Sequence, residues 1–425
     1  MSSHLLRQPW MTTGPVQRLL SALGSPDVDV RFVGGAVRNA VMGLAVKEID
    51  LATPDIPERV IERLAAAGLK TVPIGIAHGT VMAVVETETF EITTLRQDTA
   101  CDGRHAVVEF TTDWHEDARR RDFTFNAMSL RADGTLFDDH GGCEDARAGR
   151  VRFVGKAEDR IIEDYLRILR LFRFFAWYGR VPLDAETLEA CRKHAAGLTQ
   201  LSAERVQQEV AKLLGAPSPA QALKDMKETG VLAQILPEAE GIAILDRLLA
   251  LEKEANPARP QDWLRRMAAL LPMGSVDDVA ARLKLSNNDR DRLQTLAASE
   301  PLLDDHTDPL RLRRALYHLG ASLVTERVLL AWARRPAHEL SAPWRALLEV
   351  AAQWIPRSFP ATGADVLALG VSPGPAVGRI LAAAEEWWIG AGFEPDKVAV
   401  RERMRYLIES QKGNGSGGGP EPFVL

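Results

Sequence analysis

The 425-residue sequence has few cysteines and no long apolar segment. Its three cysteines, Cys101, Cys143 and Cys191, lie far apart in no C-x-x-C arrangement, which excludes a disulfide framework and a structural zinc knuckle. No apolar run approaches the roughly 18 residues that a membrane span needs, and the N-terminal segment lacks the features of a signal peptide. We therefore expect a cytoplasmic protein that contacts no membrane.

The sequence also lacks an excess of basic residues. Its formal net charge is −6 and its calculated pI is about 5.9. Any contact with a nucleic acid must therefore come from local basic patches rather than from the charge of the whole molecule. The length exceeds that of one ordinary domain, so we expect several cores.

The hydrophobic pattern changes character along the chain. The first part, residues 1–145, mixes strand and helix patterns, whereas later residues form one amphipathic helix pattern after another. The pattern predicts an α+β head with a mixed β-sheet, followed by an all-α neck, body and tail. The predicted boundaries are 1–145 for the head, 146–215 for the neck, 216–300 for the body, 301–410 for the tail and 411–425 for a disordered Gly-rich terminus.

Two carboxylates follow a glycine pair in the segment "GGAVRNAVMGLAVKEIDLAT". Glu48 and Asp50 lie two apart in an expected strand, where alternate side chains share a face about 6.5–7 Å apart. Such a pair can hold Mg²⁺. Gly34 and Gly35 would let backbone N–H groups approach phosphate oxygens, and Arg38 could add charge-assisted hydrogen bonds. Taken alone, an acid-x-acid pair is more often a solvated strand face.

The segment resembles motif A of the polymerase-beta nucleotidyltransferase superfamily, specifically the class II CCA-adding enzymes and the bacterial poly(A) polymerases. The resemblance implies a polymerase-beta-like head, and it covers about residues 30–215. Further segments resemble the later motifs in their family order: "GIAHGTV" (75–81), "FEITTLRQD" (90–98), "RRDFTFNAM" (120–128, motif B), "DDHGGCEDARAGRVRFVG" (138–155, motif C), "EDYLRILR" (163–170, motif D) and "LSAERVQQEV" (201–210, motif E).

Two positions depart from the family pattern. The first metal carboxylate is usually Asp in the family and is Glu48 here, whose extra methylene moves the oxygens by about 1.5 Å. The family's "VRD" is here "VRN", ending in Asn39. These departures suggest, as a less favoured alternative, an RNA-binding protein with impaired catalysis.

Motif B implies contacts with the sugar and triphosphate of a nucleotide. By resemblance, Asp122 accepts from a ribose hydroxyl, Arg121 donates to phosphate and Asn126 does either. A structural role in capping a helix is the alternative for all three. His78 is expected to be structural.

Motif D implies a protein template for base selection. Cytosine and adenine both present an amino donor beside a ring-nitrogen acceptor, so an Asp acceptor and an Arg donor held side by side would pair with C or A and reject G and U. Asp164 and Arg167 resemble that pair, with Glu163 positioning them and Arg170 contacting nucleotide or primer. We expect one helix from Arg160 to Tyr178, and an intrahelical salt-bridge ladder is the alternative role for this charged stripe.

Three further residues are possible members of the site. Glu91 could be a third acidic group beside the metal pair, on a neighbouring strand. Arg96 and Arg104 lie in a segment that in the family is a mobile loop used when the added base switches from C to A. The alternative for Glu91 is an ordinary surface glutamate. The alternative for the segment with Arg96 and Arg104 is a solvated connector.

The resemblance implies addition of C, C and A to the 3′ end of tRNA from CTP and ATP with Mg²⁺. The expected partners are the 3′ end and acceptor arm of tRNA, with no obligate protein partner. Poly(A) polymerases share the motif order, but the basic "GRRF"-like signature usual in them is missing here. An enzyme that adds only CC or only A remains an alternative. No His-Asp dipeptide occurs, so the phosphohydrolase domain of some relatives is not expected.

Overall fold

The computed structural model describes residues 5–76, 79–101, 106–255, 257–298, 304, 306–335 and 341–413. These residues form two compact units. The first unit is built from the described residues of Met1–Ile242, Gln261–Trp263 and Leu270–Arg290. The second is built from those of Ala243–Pro260, Leu264–Ala269 and Asp291–Leu425.

A mixed sheet forms the centre of the head. The strands are β1 (Arg31–Val33), β2 (Asp50–Thr53), β3 (Lys70–Gly75), β4 (Thr80–Val85), β5 (Glu88–Thr94), β6 (Arg96–Cys101), β7 (Ala106–Phe110), β8 (Ser129–Arg131) and β9 (Leu136–Phe137). Seven of them make one sheet in the order β3-β4-β5-β2-β1-β8-β9, and β6 pairs with β7 separately. Only β2 and β5 pair in parallel among these strands, and their register places Asp50 beside Glu91.

Five helices accompany this sheet: α1 (Gly14–Ala22), α2 (Gly35–Met42), α3 (Pro57–Ala66), α4 (Trp114–Arg119) and α5 (Gly142–Ala148). Helix α3 has proline in its first turn, and Gly68 follows its end with φ +68°, as the sequence predicts. Apolar side chains on both faces of the sheet are buried, such as Leu51 on one face and Ala52 on the other. The sheet is therefore a packed support for the residues at its edge.

The regular elements of the described chain beyond the head are helices. They are α6 (Ala157–Glu163), α7 (Leu166–Tyr178), α8 (Ala185–His194), α9 (Ala203–Leu214), α10 (Pro219–Glu228), α11 (Val231–Ile235), α12 (Ile242–Ala255), α13 (Trp263–Leu270), α14 (Val276–Arg282), α15 (Asn287–Ala297), α16 (Pro309–Arg334), α17 (Ser341–Ala352), α18 (Gly363–Leu367), α19 (Pro375–Gly390) and α20 (Lys397–Gly413). The predicted α+β class, with a mixed sheet followed by helices, is confirmed.

Two local predictions were wrong. The expected single helix from Arg160 to Tyr178 is broken at Asp164, whose φ of −157° and ψ of 109° are extended. The Asp164 carboxylate accepts from the Leu166 N–H (3.0 Å) and so caps the start of α7. The second strand begins at Asp50, so Glu48 lies in the non-strand segment before it.

Aromatic packing holds α7 against the head. Phe123 stacks on Phe153 with ring centroids 4.7 Å apart, and it meets Phe174 of α7 edge-on at 5.2 Å. Helix α5 closes on the same region, because Gly142 lies against the backbone of Thr124. A Cβ at position 142 would come within 2.1 Å of the Thr124 carbonyl oxygen. Only glycine fits there.

We therefore expect Gly142→Ala to destabilise the protein by about 1–3 kcal/mol, because the backbone around Thr124 must move. Gly14→Ala is the matched control, since no atom lies within 4 Å of its added Cβ. Urea denaturation of both variants checks this. Equal midpoints for the two would contradict the close contact.

Candidate active site

One cavity of about 740 Å³ in the first unit gathers most of the predicted site residues. Its walls come from the start of α2, the edge of β2, the turn after α4, the helix α7 and the helix α9. Eight basic side chains face it, against four carboxylates and three aromatic rings. The lining residues are Gly34, Gly35, Arg38, Glu48, Asp50, Arg120, Arg121, Asp122, Asn126, Asp164, Leu166, Arg167, Arg170, Arg173, Phe174, Trp177, Tyr178, Arg205 and Lys212. A cavity of this charge suits a polyanionic ligand.

Glu48 and Asp50 both line the cavity. Glu48 is exposed and Asp50 is half-buried. Burial, followed by the neighbouring carboxylates of Glu91 and Glu48, raises the pKa of Asp50 to about 6 against an opposing contribution from Arg121. Glu91 does not line the cavity, and the described residues contain no cluster of three or more acidic, histidine or cysteine side chains suited to a metal. The site thus offers two carboxylates, one of which is costly to ionise.

The glycine pair leaves an open space beside Asp50. Gly34 has φ +65° and precedes the first residue of α2, so the peptide N–H groups at that helix start are not covered by side chains. An added Cβ there would lie 3.8 Å from Asp50 Oδ2 and 3.9 Å from Arg121 Nη1. The bare backbone therefore stands between a carboxylate and a guanidinium, which suits a phosphate or its cation.

Arg38 is held by neutral acceptors. Its Nη1 donates to Asn126 Oδ1 (2.8 Å), and its Nη2 donates to the Tyr178 hydroxyl (2.8 Å) and to Asn39 Oδ1 (3.0 Å). Asn39 also donates to the Ala45 carbonyl (3.0 Å), so this departure from the family pattern still anchors the arginine. Burial lowers the pKa of Arg38, despite opposing contributions from Tyr178 and Asp122. A bound anion would relieve that cost.

A single buried carboxylate orients two arginines. Asp117 accepts from Arg120 through Oδ1 (2.7 Å) and from Arg121 through Oδ2 (2.9 Å). Burial alone would raise the pKa of Asp117, but Arg121 and Arg120 outweigh it and hold the pKa below its usual range. Arg121 is therefore fixed beside Gly34 rather than free to rotate.

Asp122 joins the head to α7. The carboxylate is buried and accepts from Arg170 through Nε (2.7 Å), from Asn126 Nδ2 (3.1 Å) and from the Phe123 N–H (2.9 Å). Burial would raise the pKa of Asp122, yet Arg170 and the hydrogen bond from Asn126 lower it below its usual range. Asp122, Asn126 and Arg170 thus form one network across the cavity floor.

The motif D residues lie at the break between α6 and α7. Asp164 Oδ2 accepts from Arg205 Nη2 of α9 (2.7 Å). Arg167 uses Nη1 to bond Glu163 and the Arg160 carbonyl (2.9 Å for the carbonyl). Among the described residues, no partner contacts Arg167 Nε or Nη2, which stay available as donors.

Three of the described residues predicted for the site do not line this cavity. Glu163 lies behind Arg167, while Glu91 and Arg96 do not line it. Arg104 falls outside the described residues, as does His78. The segment that holds Arg96 is a hairpin of β6 and β7 on either side of residues 102–105.

Sequence reasoning missed several lining residues. Arg173, Phe174, Trp177 and Tyr178 continue the face of α7 that starts at Arg167 and Arg170. Helical spacing from Arg170 would have found them. Arg205 lies within motif E and Lys212 just beyond it, both on α9, and only their seven-residue spacing was a signal.

One arginine pair in the helical part of the chain is not available to RNA, although its sequence is locally basic. In "RPQDWLRRMAALL", Arg265 and Arg266 are buried and both bond to Glu252, at 2.7 Å and 2.8 Å. They serve the core of the second unit. By contrast, Arg311, Arg313 and Arg314 at the start of α16 have exposed side chains.

The raised pKa of Asp50 predicts a change in stability. The ionised carboxylate costs folding free energy fully above pH 6 and not below the ordinary pKa of 3.8. Asp50→Asn should therefore stabilise the protein at pH 7.5 by up to about 3 kcal/mol, with the gain vanishing as the pH falls towards 4. Urea denaturation across this pH range measures it, with Glu88→Gln on β5 as the control. A gain that is independent of pH would contradict this assignment.

No helix among the described residues is long and apolar enough to cross a bilayer. Residues 30–152 match the family model of the poly A polymerase head domain, and residues 181–242 match that of the probable RNA and SrmB-binding site of polymerase A.

Similarity to known proteins extends over nearly the whole chain. The mitochondrial CCA tRNA nucleotidyltransferase 1 of Mus musculus is 34% identical over 402 residues, which are 91% of this chain and 88% of that one. The CCA-adding enzyme of Levilactobacillus brevis is 31% identical over 398 residues, 90% and 95% of the two chains. The crystal structure of the Bacillus stearothermophilus CCA-adding enzyme in complex with CTP superposes with a TM-score of 0.75 at 28% identity, covering 95% and 100%. The chain therefore belongs to the CCA tRNA nucleotidyltransferase family.

Proposed function

We propose that this chain adds C, C and A in turn to the 3′ end of tRNA, using CTP and ATP. In each cycle the terminal 3′ oxygen forms a bond to the α-phosphorus, the bond from that phosphorus to the bridging oxygen breaks, and pyrophosphate leaves. The observation that carries the proposal is a single cavity that combines the carboxylate pair, the bare glycines, and the Asp164 and Arg167 pair. A solved relative with CTP supports a nucleotide ligand.

Mg²⁺ is the metal that we propose for Glu48 and Asp50. Two carboxylates leave most of an octahedral shell for phosphate oxygens and water, which is the shell that Mg²⁺ prefers beside a nucleotide. The pKa of Asp50 fits this role, because a cation would offset the repulsion from Glu91 and Glu48. When bound, the metal would lower the pKa of the attacking hydroxyl and neutralise the leaving pyrophosphate.

The protein's own residues would hold the triphosphate. Arg121, fixed by Asp117, and Arg38, held by neutral partners, bring two cations to the side of the cavity with Gly34. Fixed donors aimed at a phosphate need no reorganisation as charge moves to the leaving group. Asp122 is already bonded to Arg170, Asn126 and a backbone N–H, so we assign it a positioning role rather than the ribose contact implied by resemblance.

Base selection would fall to Asp164 and Arg167. Each carboxylate oxygen of Asp164 has one bond to protein, which leaves a second lone pair for an amino group of C or A. Arg167 supplies Nε or Nη2 to the ring nitrogen beside it. Glu163 would act by holding Arg167.

The cellular location and the extent of addition are part of the proposal. The isolated cysteines support a reducing cytoplasm. Complete CCA addition is supported by relatives named for it that match nearly the whole chain.

The test is to incubate the protein with tRNA lacking its 3′ CCA, labelled CTP or ATP, and Mg²⁺. We expect growth by three nucleotides and no growth with Asp50→Asn. Glu88→Gln, at an exposed position on β5 that does not line the cavity, is the control for a charge-removing substitution elsewhere on the surface. A long A tail would support a poly(A) polymerase, addition of only CC or only A a partial enzyme, and no growth an RNA-binding protein without catalysis.

Asp164→Ala should relax base choice more than it weakens triphosphate binding. Loss of one bidentate base contact corresponds to about 1–3 kcal/mol of discrimination, or roughly 5- to 150-fold. Competition of CTP and ATP against UTP and GTP measures the change. Lys212→Gln, on the cavity wall but outside the proposed template, is the matched control. Unchanged selectivity in Asp164→Ala would falsify the template assignment.

A further inference from the structure

Trp177 is an exposed aromatic side chain on a wall of charged residues. All nine tryptophans lie in the described residues, and Trp177 alone is exposed, at 39% of its surface. Large aromatic side chains are costly to leave in water. The indole N–H donates to the Lys212 carbonyl (2.8 Å), so the ring is anchored by its edge. An anchored ring that lines a cavity keeps area for a planar ligand.

The neighbouring charge indicates the kind of ligand. Lys212 is exposed, lines the cavity, and has no carboxylate partner for its ammonium group among the described residues. Arg205 lies two turns earlier on the same helix and lines the same cavity. Aromatic rings beside basic side chains are the usual combination for a single nucleic-acid strand, where bases stack and cations follow phosphates.

The length of α7 separates this ring from the proposed template. Arg167 and Trp177 are ten residues apart in one helix, which is about 15 Å along its axis. Stacked bases are about 3.4 Å apart, so the base held by Asp164 and Arg167 cannot also stack on Trp177. The ring must therefore serve a different base.

We propose that Trp177 stacks on an unpaired nucleobase at the 3′ end of the tRNA primer, with Lys212 contacting a phosphate of the same strand. This inference rests on the proposed function, since it assigns one part of the cavity to the second substrate. Trp177 is thus a substrate-positioning residue for the RNA and not for the nucleotide.

Trp177→Ala should raise the KM for tRNA lacking CCA by about tenfold, while kcat and the KM for CTP stay within about twofold. Trp177→Phe keeps a stacking ring but loses the N–H, and should stay within about threefold of the wild type. Val181→Ala is the matched control, because Val181 is an exposed apolar residue just beyond α7 that does not line the cavity. Circular dichroism verifies folding.

Fluorescence gives a reading that needs neither turnover nor the alanine variant. Titration with tRNA lacking CCA should quench the wild type more than Trp177→Phe. Equal quenching, an unchanged KM for tRNA in a folded Trp177→Ala, or equal losses in the Phe and Ala variants would each overturn the proposal. A rise in the KM for CTP alone would also overturn the proposal, because it would mean that Trp177 contacts the base of the incoming nucleotide and not a base of the tRNA. If tRNA quenches the fluorescence of the wild-type protein but the protein adds no nucleotide, the proposed function is rejected while the contact between Trp177 and RNA is retained.

Discussion

The ion pair between the buried Asp122 carboxylate and the half-buried Arg170 is the contact on which the cavity depends. It joins a short turn of the head to a helix of the neck, two segments that are 48 residues apart in sequence. The same carboxylate holds Asn126, which in turn accepts from Arg38. Removing Arg170 would leave the buried Asp122 carboxylate charged without its cationic partner, which is among the more destabilising changes a protein can suffer. Together with the Arg38 to Tyr178 hydrogen bond and the packing of Phe174, this carboxylate fixes the glycine side of the cavity relative to the α7 side.

The free cavity holds charges of both signs in unfavourable surroundings. The pKa of Asp50 is raised by burial and by two carboxylates, and the pKa of Arg38 is lowered by burial. Both shifts mean that the charged form is costly in the absence of a ligand. A nucleoside triphosphate with its cation brings a compensating charge to each of them. The site is thus arranged for a ligand that carries both positive and negative charge, and the ligand-free protein is less stable to unfolding as a result.

Sequence patterns predicted the head well because its signals are local. Alternating strands, a proline at a helix start and glycines at turns depend on neighbours within a few residues. The helix break at Asp164 was not predicted because the apolar residues on both sides of it keep helical spacing. The break is stabilised by a hydrogen bond from the Leu166 N–H to the Asp164 carboxylate, which leaves no mark on that spacing. Arg265 and Arg266 show no sign of burial in the local sequence, yet both are buried and bond to Glu252, thirteen and fourteen residues away in sequence. Long-range pairing of charges has no periodic signature.

The candidate site shows the same limit. The order of motifs brought most of the lining residues together, but it gave no sign that the Asp122 oxygens have three partners in the protein. Trp177 has no motif at all, and its position emerges only when α7 and α9 are packed side by side.

The unequal spread of charge has a consequence for how RNA approaches. Eight cationic side chains open into one cavity on a molecule whose formal charge is −6. The rest of the molecule therefore carries a net negative charge that repels a polyanion. Long-range electrostatic forces favour encounters in which an unpaired RNA strand enters the cavity, and they disfavour encounters in which an RNA duplex contacts the remaining surface. Ionic strength would then govern which part of an RNA is sampled first, as well as how tightly it is held.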